Sequence, residues 1–266
     1  MTWRAIAGSV AGTSHRRRGV PGQDCSLLDL VGDAGEILIA IAADGAGSAS
    51  HGEQGAALAC QQLHGRARWW AEWYDSNLDM LNVDVVTKWL AWTHRELETE
   101  AQRLGIGLRA MACTVLGIVA NSKRAVCFQI GDGAIVLETA TEPLQVVFWP
   151  KVGEYANMTY FLTDTTYDRN QQIVVIEDEP VEVALLTDGL QRLALQFSAQ
   201  SVHAPFFTPM FERLAAEPQG RALMLQQQLL EFLDSPAVND RTDDDKTLIL
   251  ASRRSQPSIR NLPIDP

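Results

Sequence analysis

Seven short apolar segments constrain the fold of this chain more than any other feature of its sequence. Each is rich in Val, Ile or Leu and is bounded by Gly, Asp, Asn or Pro, a pattern typical of buried β-strands. Several follow one another with short connections, which favours antiparallel pairing. The predicted strands are Ile37–Ala43, Cys113–Ala120, Ala125–Ile130, Gln145–Trp149, Gln172–Ile176, Val183–Thr187 and Thr247–Ala251.

Four other segments repeat apolar residues at helical spacing and predict amphipathic helices. They are His51–Leu63, Val83–Leu104, Ala204–Ala216 and Arg221–Leu233. Strands and helices come in separate blocks, which predicts an α+β fold rather than a regular βαβ alternation. The sequence contains no internal repeat and no long linker. We therefore predict a single domain over residues 1–252 and a flexible tail over residues 253–266.

The charge and the cysteines limit the partners of the chain. Its 22 Lys and Arg against 33 Asp and Glu give a net charge of −11, which repels nucleic acid and anionic membranes. The chain has no apolar run of membrane-spanning length and no signal-peptide pattern. Its four cysteines show no C-x-x-C spacing, so neither a zinc site nor a disulfide framework is indicated. We expect a cytoplasmic monomer.

Aspartates recur where the predicted strands begin or end. Asp44, Asp132 and Asp188 each follow an apolar segment and precede a glycine. Asp244 lies just before the last strand, and Asp24 opens another apolar run. A single Asp-Gly pair most often marks a turn. The recurrence suggests instead that strand ends bring several carboxylates together.

Converging carboxylates repel one another, and a divalent cation relieves that repulsion. Oxygen-only ligands suit Mg²⁺ or Mn²⁺, and two such ions can hold a phosphoryl group and the water that attacks it. The glycine after Asp44, Gly45, would allow its own carbonyl to approach a metal. The sequence contains no cysteine-phosphatase loop, G-x-S-x-G motif or P-loop that would offer another mechanism.

Six motifs between about Gly12 and Ala251 resemble, in order, those of the metal-dependent Ser/Thr protein phosphatases of the PPM (type 2C) family in its compact bacterial form. The resemblance implies a four-layer α-β-β-α sandwich, in which two antiparallel sheets are flanked by helix pairs. The motifs are "GQDCSLL", "AADGAGSASHGEQGA", "ACTVLGIVA", "QIGDGAIVL", "LLTDGL" and "DDKTLIL".

The same resemblance implies a metal site that holds two Mn²⁺ or Mg²⁺ ions. Asp44, Asp188 and Asp244 would bind one ion, and Asp44 with the Gly45 carbonyl would bind the other. Asp132 would belong to a third, weaker position. Asp24 would act on the water, so that Asp24 and Asp44 are the expected catalytic residues.

The implied reaction is direct attack of a hydroxide bridging the two metals on a phosphoserine or phosphothreonine monoester. The substrate would be a phosphoprotein made by a Ser/Thr kinase. Two alternatives stay open: a non-catalytic phosphoprotein-binding module on the same fold, and a metal-dependent phosphatase for small molecules.

One position departs from the family pattern. The arginine that usually binds the substrate phosphate is replaced by Gly19, and the nearby "HRRRG" offers Arg18, Arg17 and His15 as candidates. A polar loop, Asn157–Asn170, is predicted beside the cleft.

Overall fold

The computed structural model describes residues 1–150 and 159–254. The strands are β1 (Thr2–Val10), β2 (Asp24–Val31), β3 (Ile37–Asp44), β4 (Val115–Ala120), β5 (Ala125–Ile130), β6 (Ala134–Thr139), β7 (Gln145–Val146), β8 (Gln172–Ile176), β9 (Pro180–Leu186), β10 (Leu195–Gln196), β11 (Ser201–Val202), β12 (Gly220–Arg221) and β13 (Lys246–Arg254). The α-helices are α1 (Thr13–Arg18), α2 (Gly52–Trp73), α3 (Val83–Leu104), α4 (Tyr167–Asn170), α5 (Gln191–Ala194), α6 (Ala204–Ala216), α7 (Leu223–Leu233) and α8 (Pro236–Asn239).

The strands form two main sheets. One has five antiparallel strands in the order β2-β3-β4-β5-β8. The other has six strands in the order β12-β1-β13-β9-β6-β7, antiparallel except where the short β12 runs parallel to β1. The strands β10 and β11 form a separate hairpin.

Three hydrophobic clusters hold four layers together. The first lies between the five-stranded sheet and the helices α2 and α3. The second lies between the six-stranded sheet and the helices α6 and α7. The third lies between the two sheets and includes Trp3, Leu38, Leu116, Leu185 and Ile249. The α+β class is therefore confirmed, and the clusters describe the predicted order of helix, sheet, sheet and helix.

Strand β3 shows why its sequence is apolar at every position. Successive side chains of a strand point to opposite faces of the sheet. Ile39 and Ile41 belong to the cluster beneath the helices, whereas Leu38 and Ala40 belong to the cluster between the sheets. Because both faces are buried, alternation of polar and apolar residues is lost, and the strand carries Asp44 at its end.

The structure confirms most predicted elements and adds six strands, of which β10, β11 and β12 have only two residues each. The predicted α3, α6, β5 and β8 match in full. Helix α2 continues ten residues beyond Leu63, to Trp73, and the segment Gln145–Trp149 forms a strand only at its first two residues. The strands β1, β2 and β6 were not predicted. In β1, Arg4 is buried because its side chain bonds backbone carbonyls of Glu217 and Thr2, which masks the apolar pattern.

The C-terminal boundary also differs from the prediction. Strand β13 runs to Arg254, so its last two residues belong to the six-stranded sheet and not to the predicted tail. Arg253 pairs with Trp3 in the ladder and is buried. Residues 255–266 of the predicted tail lie outside the described residues. Within the described part of the chain, none of the helices has the length and apolar character needed to cross a membrane.

Candidate active site

Strands β2 and β3 place two of the predicted aspartates side by side. Asp24 opens β2, Asp44 ends β3, and the two are direct partners in the antiparallel ladder. The backbone of Asp44 is fixed further by Thr114, whose hydroxyl accepts a hydrogen bond from the Asp44 N–H at 3.1 Å. The Thr114 N–H in turn donates to the Asp44 carbonyl at 2.8 Å. Thr114, the residue before β4, thus fixes the backbone that carries the Asp44 carboxylate.

The other sheet supplies the opposite side of the site. Asp188 follows β9 and Asp244 precedes β13, and these two strands are neighbours. At this edge the Oδ2 atom of Asp24 accepts hydrogen bonds from the Thr187 hydroxyl at 2.8 Å and the Thr247 hydroxyl at 2.7 Å. The two sheets are therefore joined through the Asp24 side chain, beside the predicted metal ligands.

The carboxylates of this edge act on one another electrostatically. Burial raises the pKa of Asp24 to about 7, although the hydrogen bonds from Thr247 and Thr187 lower it. Burial, followed by the charges of Asp24, Asp188 and Asp244, raises the pKa of Asp44 well above its ordinary value. Burial, with the charges of Asp132 and Asp244, raises the pKa of Asp188 to about 7. All five predicted aspartates thus lie within electrostatic range of one site, which we call the aspartate cluster.

Asp132 lies at the edge of the aspartate cluster. Its Oδ2 atom accepts a hydrogen bond from the hydroxyl of Thr159 at 2.6 Å, and its carbonyl accepts one from the side chain of Gln191. Thr159 belongs to the polar loop predicted beside the cleft, and that contact brings the loop to the site. Asn157 and Met158 of the same loop lie outside the described residues.

The structure gives a packing reason for Gly45. A Cβ atom added at this position would lie 2.4 Å from the backbone C and O atoms of Gly52, at the start of α2. No side chain fits there, because backbone atoms cannot move aside as a flexible side chain can. The glycine is therefore required by the approach of the helix, and a metal-binding role of its carbonyl stays a prediction.

Asp245 organises the segment that was predicted to bind phosphate. Its side chain is 2% exposed and accepts hydrogen bonds from the backbone N–H groups of Gly12 and Gln23, each at 2.6 Å. The Nδ1 atom of His15 lies 2.8 Å from the same carboxylate. His15 is therefore buried and bonded to Asp245, whereas a phosphate-binding residue would have to face the substrate. Only its Nε2 atom is left for such a role.

The arginines of helix α1 are not equivalent. Arg16 forms an ion pair with Asp234 at 2.6 Å, and the Nε atom of Arg18 donates to the Ser14 carbonyl at 3.3 Å. Within residues 1–150 and 159–254, the exposed Arg17 side chain has no hydrogen bond or ion pair. Gly19 ends the helix with φ 68°, a left-handed conformation that favours glycine over arginine.

A cavity of about 280 Å³ lies next to Gln23, and none of the five aspartates of the cluster lines it. It is lined by Arg18 and Gln23 on one side and by Ser50 and His51 on the other. Gln23 is the neighbour of Asp24 in the chain. Among the phosphate-binding candidates, Arg18 and His15 line this cavity and Arg17 does not.

The chemistry of the aspartate cluster fits divalent cations. Among the described residues, the buried Oδ1 atom of Asp24 has no hydrogen-bond partner, and burial together with neighbouring carboxylates raises the pKa values of Asp44 and Asp188. A cation would relieve both conditions. Across residues 1–150 and 159–254, no three Asp, Glu, His or Cys side chains are already arranged at metal-binding geometry. The carboxylates would therefore have to move closer together around an ion.

Sequence reasoning missed two hydroxyl groups of the site. Thr187 and Ser9 belong to the network around Asp24, since the Thr187 hydroxyl donates to Asp24 and Ser9 Oγ lies 2.8 Å from Thr247 Oγ1. A threonine directly before the Asp-Gly pair in "LLTDGL" was the available signal for Thr187. Nothing in the sequence around Ser9 indicated its place, because β1 itself was not predicted.

Comparison with known proteins shows which proteins this chain is similar to. Residues 11–234 match the family model described as "Protein phosphatase 2C". The chain is 38% identical over 253 residues to serine/threonine-protein phosphatase 3 of Escherichia coli (strain K12), covering 94% of this chain and 98% of that protein.

Two solved structures share the fold at low sequence identity. The Ser/Thr phosphatase Stp1 of Staphylococcus aureus matches with a TM-score of 0.61 at 15% identity, over 96% of each chain. PppA of Pseudomonas aeruginosa matches with a TM-score of 0.61 at 16% identity, over 95% of this chain and 98% of that one.

Proposed function

The chain belongs to the protein phosphatase 2C family and is a serine/threonine protein phosphatase, and we propose that it hydrolyses phosphoserine and phosphothreonine monoesters with two divalent cations held at the aspartate cluster. Phosphatases of this family generally depend on divalent metals, and the substrates are phosphoproteins. The proposed cations are Mn²⁺ or Mg²⁺. The observation that carries the proposal is the mutual electrostatic effect of Asp44, Asp188, Asp244 and Asp24 at one edge of the two sheets.

The proposed ligand set is the one that the resemblance to the family implies. Asp44, Asp188 and Asp244 would hold one cation, and Asp44 with the Gly45 carbonyl would hold the other. Asp132 would contribute to a third, weaker position through the oxygen that Thr159 does not occupy. When bound, the cations would supply an activated water molecule and neutralise the charge of the phosphate.

Asp24 is suited to move a proton near neutral pH. Its Oδ2 atom accepts hydrogen bonds from Thr187 and Thr247, which fixes the orientation of the carboxyl group. Its Oδ1 atom is buried and free of partners. Without bound cations, burial raises the pKa of Asp24 to about 7, and we propose that Asp24 acts on the attacking water through its Oδ1 atom.

We propose Arg18 as the phosphate-binding residue. It lines the cavity next to Gln23, while Arg16 is engaged by Asp234 and His15 by Asp245. Asp245 positions this segment by bonding its backbone at Gly12 and Gln23. The phosphate would thus be bound by Arg18 at the end of α1, since Gly19 provides no side chain.

The proposed partner is a phosphoprotein made by a Ser/Thr kinase, and the proposed location is the cytoplasm. The four cysteines, Cys25, Cys60, Cys113 and Cys127, are unpaired, which suits a reducing compartment. We propose that the chain acts as a monomer.

The metal proposal is tested with Asp44→Asn and the matched control Asp33→Asn, an aspartate in the exposed turn after β2. Hydrolysis of p-nitrophenyl phosphate and of a phosphothreonine peptide is measured with Mn²⁺, Mg²⁺ or EDTA. We expect EDTA to abolish activity and Asp44→Asn to lower kcat by at least about 100-fold, while Asp33→Asn retains parental rates. Activity that persists in EDTA would remove the metal mechanism.

The phosphate proposal is tested by comparing Arg18→Gln with Arg17→Gln. Loss of a charge-assisted hydrogen bond to substrate is expected to lower kcat/KM of Arg18→Gln by about ten-fold or more, with a smaller change for Arg17→Gln. A larger loss for Arg17→Gln would assign the phosphate to Arg17 instead.

A further inference from the structure

Another cavity, of about 770 Å³, lies between α6 and α7, and none of the five aspartates of the cluster lines it. Its walls are mainly apolar and include Ile6, Phe206, Met210, Leu225, Leu229 and Phe232. A cavity of about 300–1,000 Å³ with apolar walls and a few polar groups is the usual form of a small-molecule site.

Three arginines line this apolar cavity, namely Arg192, Arg213 and Arg241. In the described part of the chain none of the three has an ion-pair or hydrogen-bond partner for its guanidinium. Among the described residues, no Asp or Glu lines the cavity. All three arginines are exposed and no carboxylate of the cavity wall neutralises their charge, whereas Arg16 and Arg68, which are also exposed, pair with carboxylates.

We propose that this cavity binds a small amphipathic anion, a molecule with an apolar body and one carboxylate or similar headgroup. The apolar body would contact the side chains between α6 and α7, and burying it would supply most of the affinity. The headgroup would be held by the planar guanidinium groups, which bind carboxylates in bidentate geometry. The positive charge of the cavity wall thus favours an anionic ligand over a cationic one.

The cavity shares two chain segments with the aspartate cluster. Arg192 lies in α5, which follows Asp188 after a single helical turn. Arg241 precedes Asp244 by three residues. The proposed ligand would therefore contact the same segments that carry two of the proposed metal ligands, although its binding does not depend on the phosphatase reaction.

Isothermal titration calorimetry of the full chain with decanoate tests the proposal. Matched probes are decan-1-ol, which has the same chain without charge, and decyltrimethylammonium, which has the opposite charge. We expect decanoate to bind with one-to-one stoichiometry and at least about ten-fold more tightly than either probe. Equal affinity for all three probes, or no binding of decanoate, would overturn the proposal.

Variants locate the bound anion. Arg192→Gln, Arg213→Gln and Arg241→Gln are compared with Arg95→Gln, an exposed arginine on α3 at the other helix layer. Each cavity variant is expected to weaken decanoate binding by about ten-fold where its guanidinium contacts the headgroup, and Arg95→Gln to leave it unchanged. Met210→Trp, which fills the cavity, should abolish binding while circular dichroism shows a folded protein.

Other occupants give different results. If decanoate does not bind and light scattering shows a dimer that Met210→Trp dissociates, the cavity is an interface between two copies of the chain. If decanoate binds equally to the parent and to all three arginine variants, the anion is not held in this cavity.

Discussion

The hydrogen-bond network of Asp245 makes a quantitative prediction about stability. This carboxylate is 2% exposed and accepts from two backbone N–H groups and from His15. Its Oδ1 atom accepts the hydrogen bonds from Gly12 and His15, and its Oδ2 atom accepts the one from Gln23. The substitution Asp245→Asn preserves the shape of the side chain but replaces one oxygen by an N–H donor.

The cost of Asp245→Asn follows from these contacts. An asparagine that keeps its oxygen towards Gly12 and His15 turns its amide N–H₂ group towards the N–H of Gln23. One charge-assisted hydrogen bond is then lost, at about 1.5–3 kcal/mol, and a partly buried donor is left unsatisfied, at about 1–3 kcal/mol. We expect the free energy of unfolding to fall by about 3 kcal/mol.

Urea denaturation followed by circular dichroism measures this change. The experiment is run in EDTA, so that any change in metal binding does not contribute to the difference. Asp243→Asn is the matched control, because Asp243 is exposed and, among described residues, its side chain has no hydrogen bond. It should change the free energy of unfolding by no more than about 0.5 kcal/mol.

Two results would refute the reasoning about Asp245. An Asp245→Asn variant as stable as the parent would show that the three hydrogen bonds do not stabilise the fold. Equal destabilisation by Asp243→Asn would show that the loss comes from general charge effects near β13. A stable Asp245→Asn variant with raised KM would indicate a role confined to the phosphate-binding segment.

Three further predictions follow from the site. Thr187→Val and Thr247→Val each remove a hydrogen bond that lowers the pKa of Asp24. The acidic limb of the pH profile of kcat/KM should therefore move to higher pH by about one unit. A limb that does not move would contradict the role of Asp24. The pKa values of Asp24 and Asp188 are raised to about 7 in the folded protein. The folded protein therefore holds protons that the unfolded chain loses near pH 4. The stability contributed by this proton binding is lost as the pH rises through 7. Added Mg²⁺ competes with those protons and should raise Tm more at pH 8 than at pH 5, measured against EDTA; equal shifts would contradict metal binding at these carboxylates. Gly45→Ala should lower the free energy of unfolding by about 3 kcal/mol, because the added Cβ would lie 2.4 Å from the backbone of Gly52. Gly65→Ala, in the open part of α2, should instead stabilise the protein by up to about 1 kcal/mol. Similar effects of the two substitutions would refute the packing argument.

Local patterns in the sequence were sufficient to predict much of the fold. Apolar runs predict buried strands such as β5 and β8, and an apolar stripe at helical spacing predicts helix α3. Each pattern depends only on residues that are close in the chain. The position of the aspartates at strand ends is equally local. The same local pattern therefore indicates both Asp44 and Asp188, although they belong to different sheets.

The strands that escaped prediction are those whose environment is set by distant residues. In β1, the buried Arg4 donates hydrogen bonds to the carbonyls of Glu217 and Arg254, both over two hundred positions away, as well as to that of Thr2. Strand β2 is only half-buried along much of its length, and its assignment depends on the ladder with β3. Neither pairing leaves a periodic signal in the sequence.

The sequence by itself determined the class of fold and which carboxylates to examine, because composition, spacing and strand ends are properties of neighbouring residues. Only the tertiary structure decided which partners each of these side chains contacts. It set Asp24 opposite Asp44, gave Asp24 its two threonines, and turned His15 inward to Asp245. These contacts join residues from separate segments of the chain, and their energies depend on burial and distance, which no local pattern records.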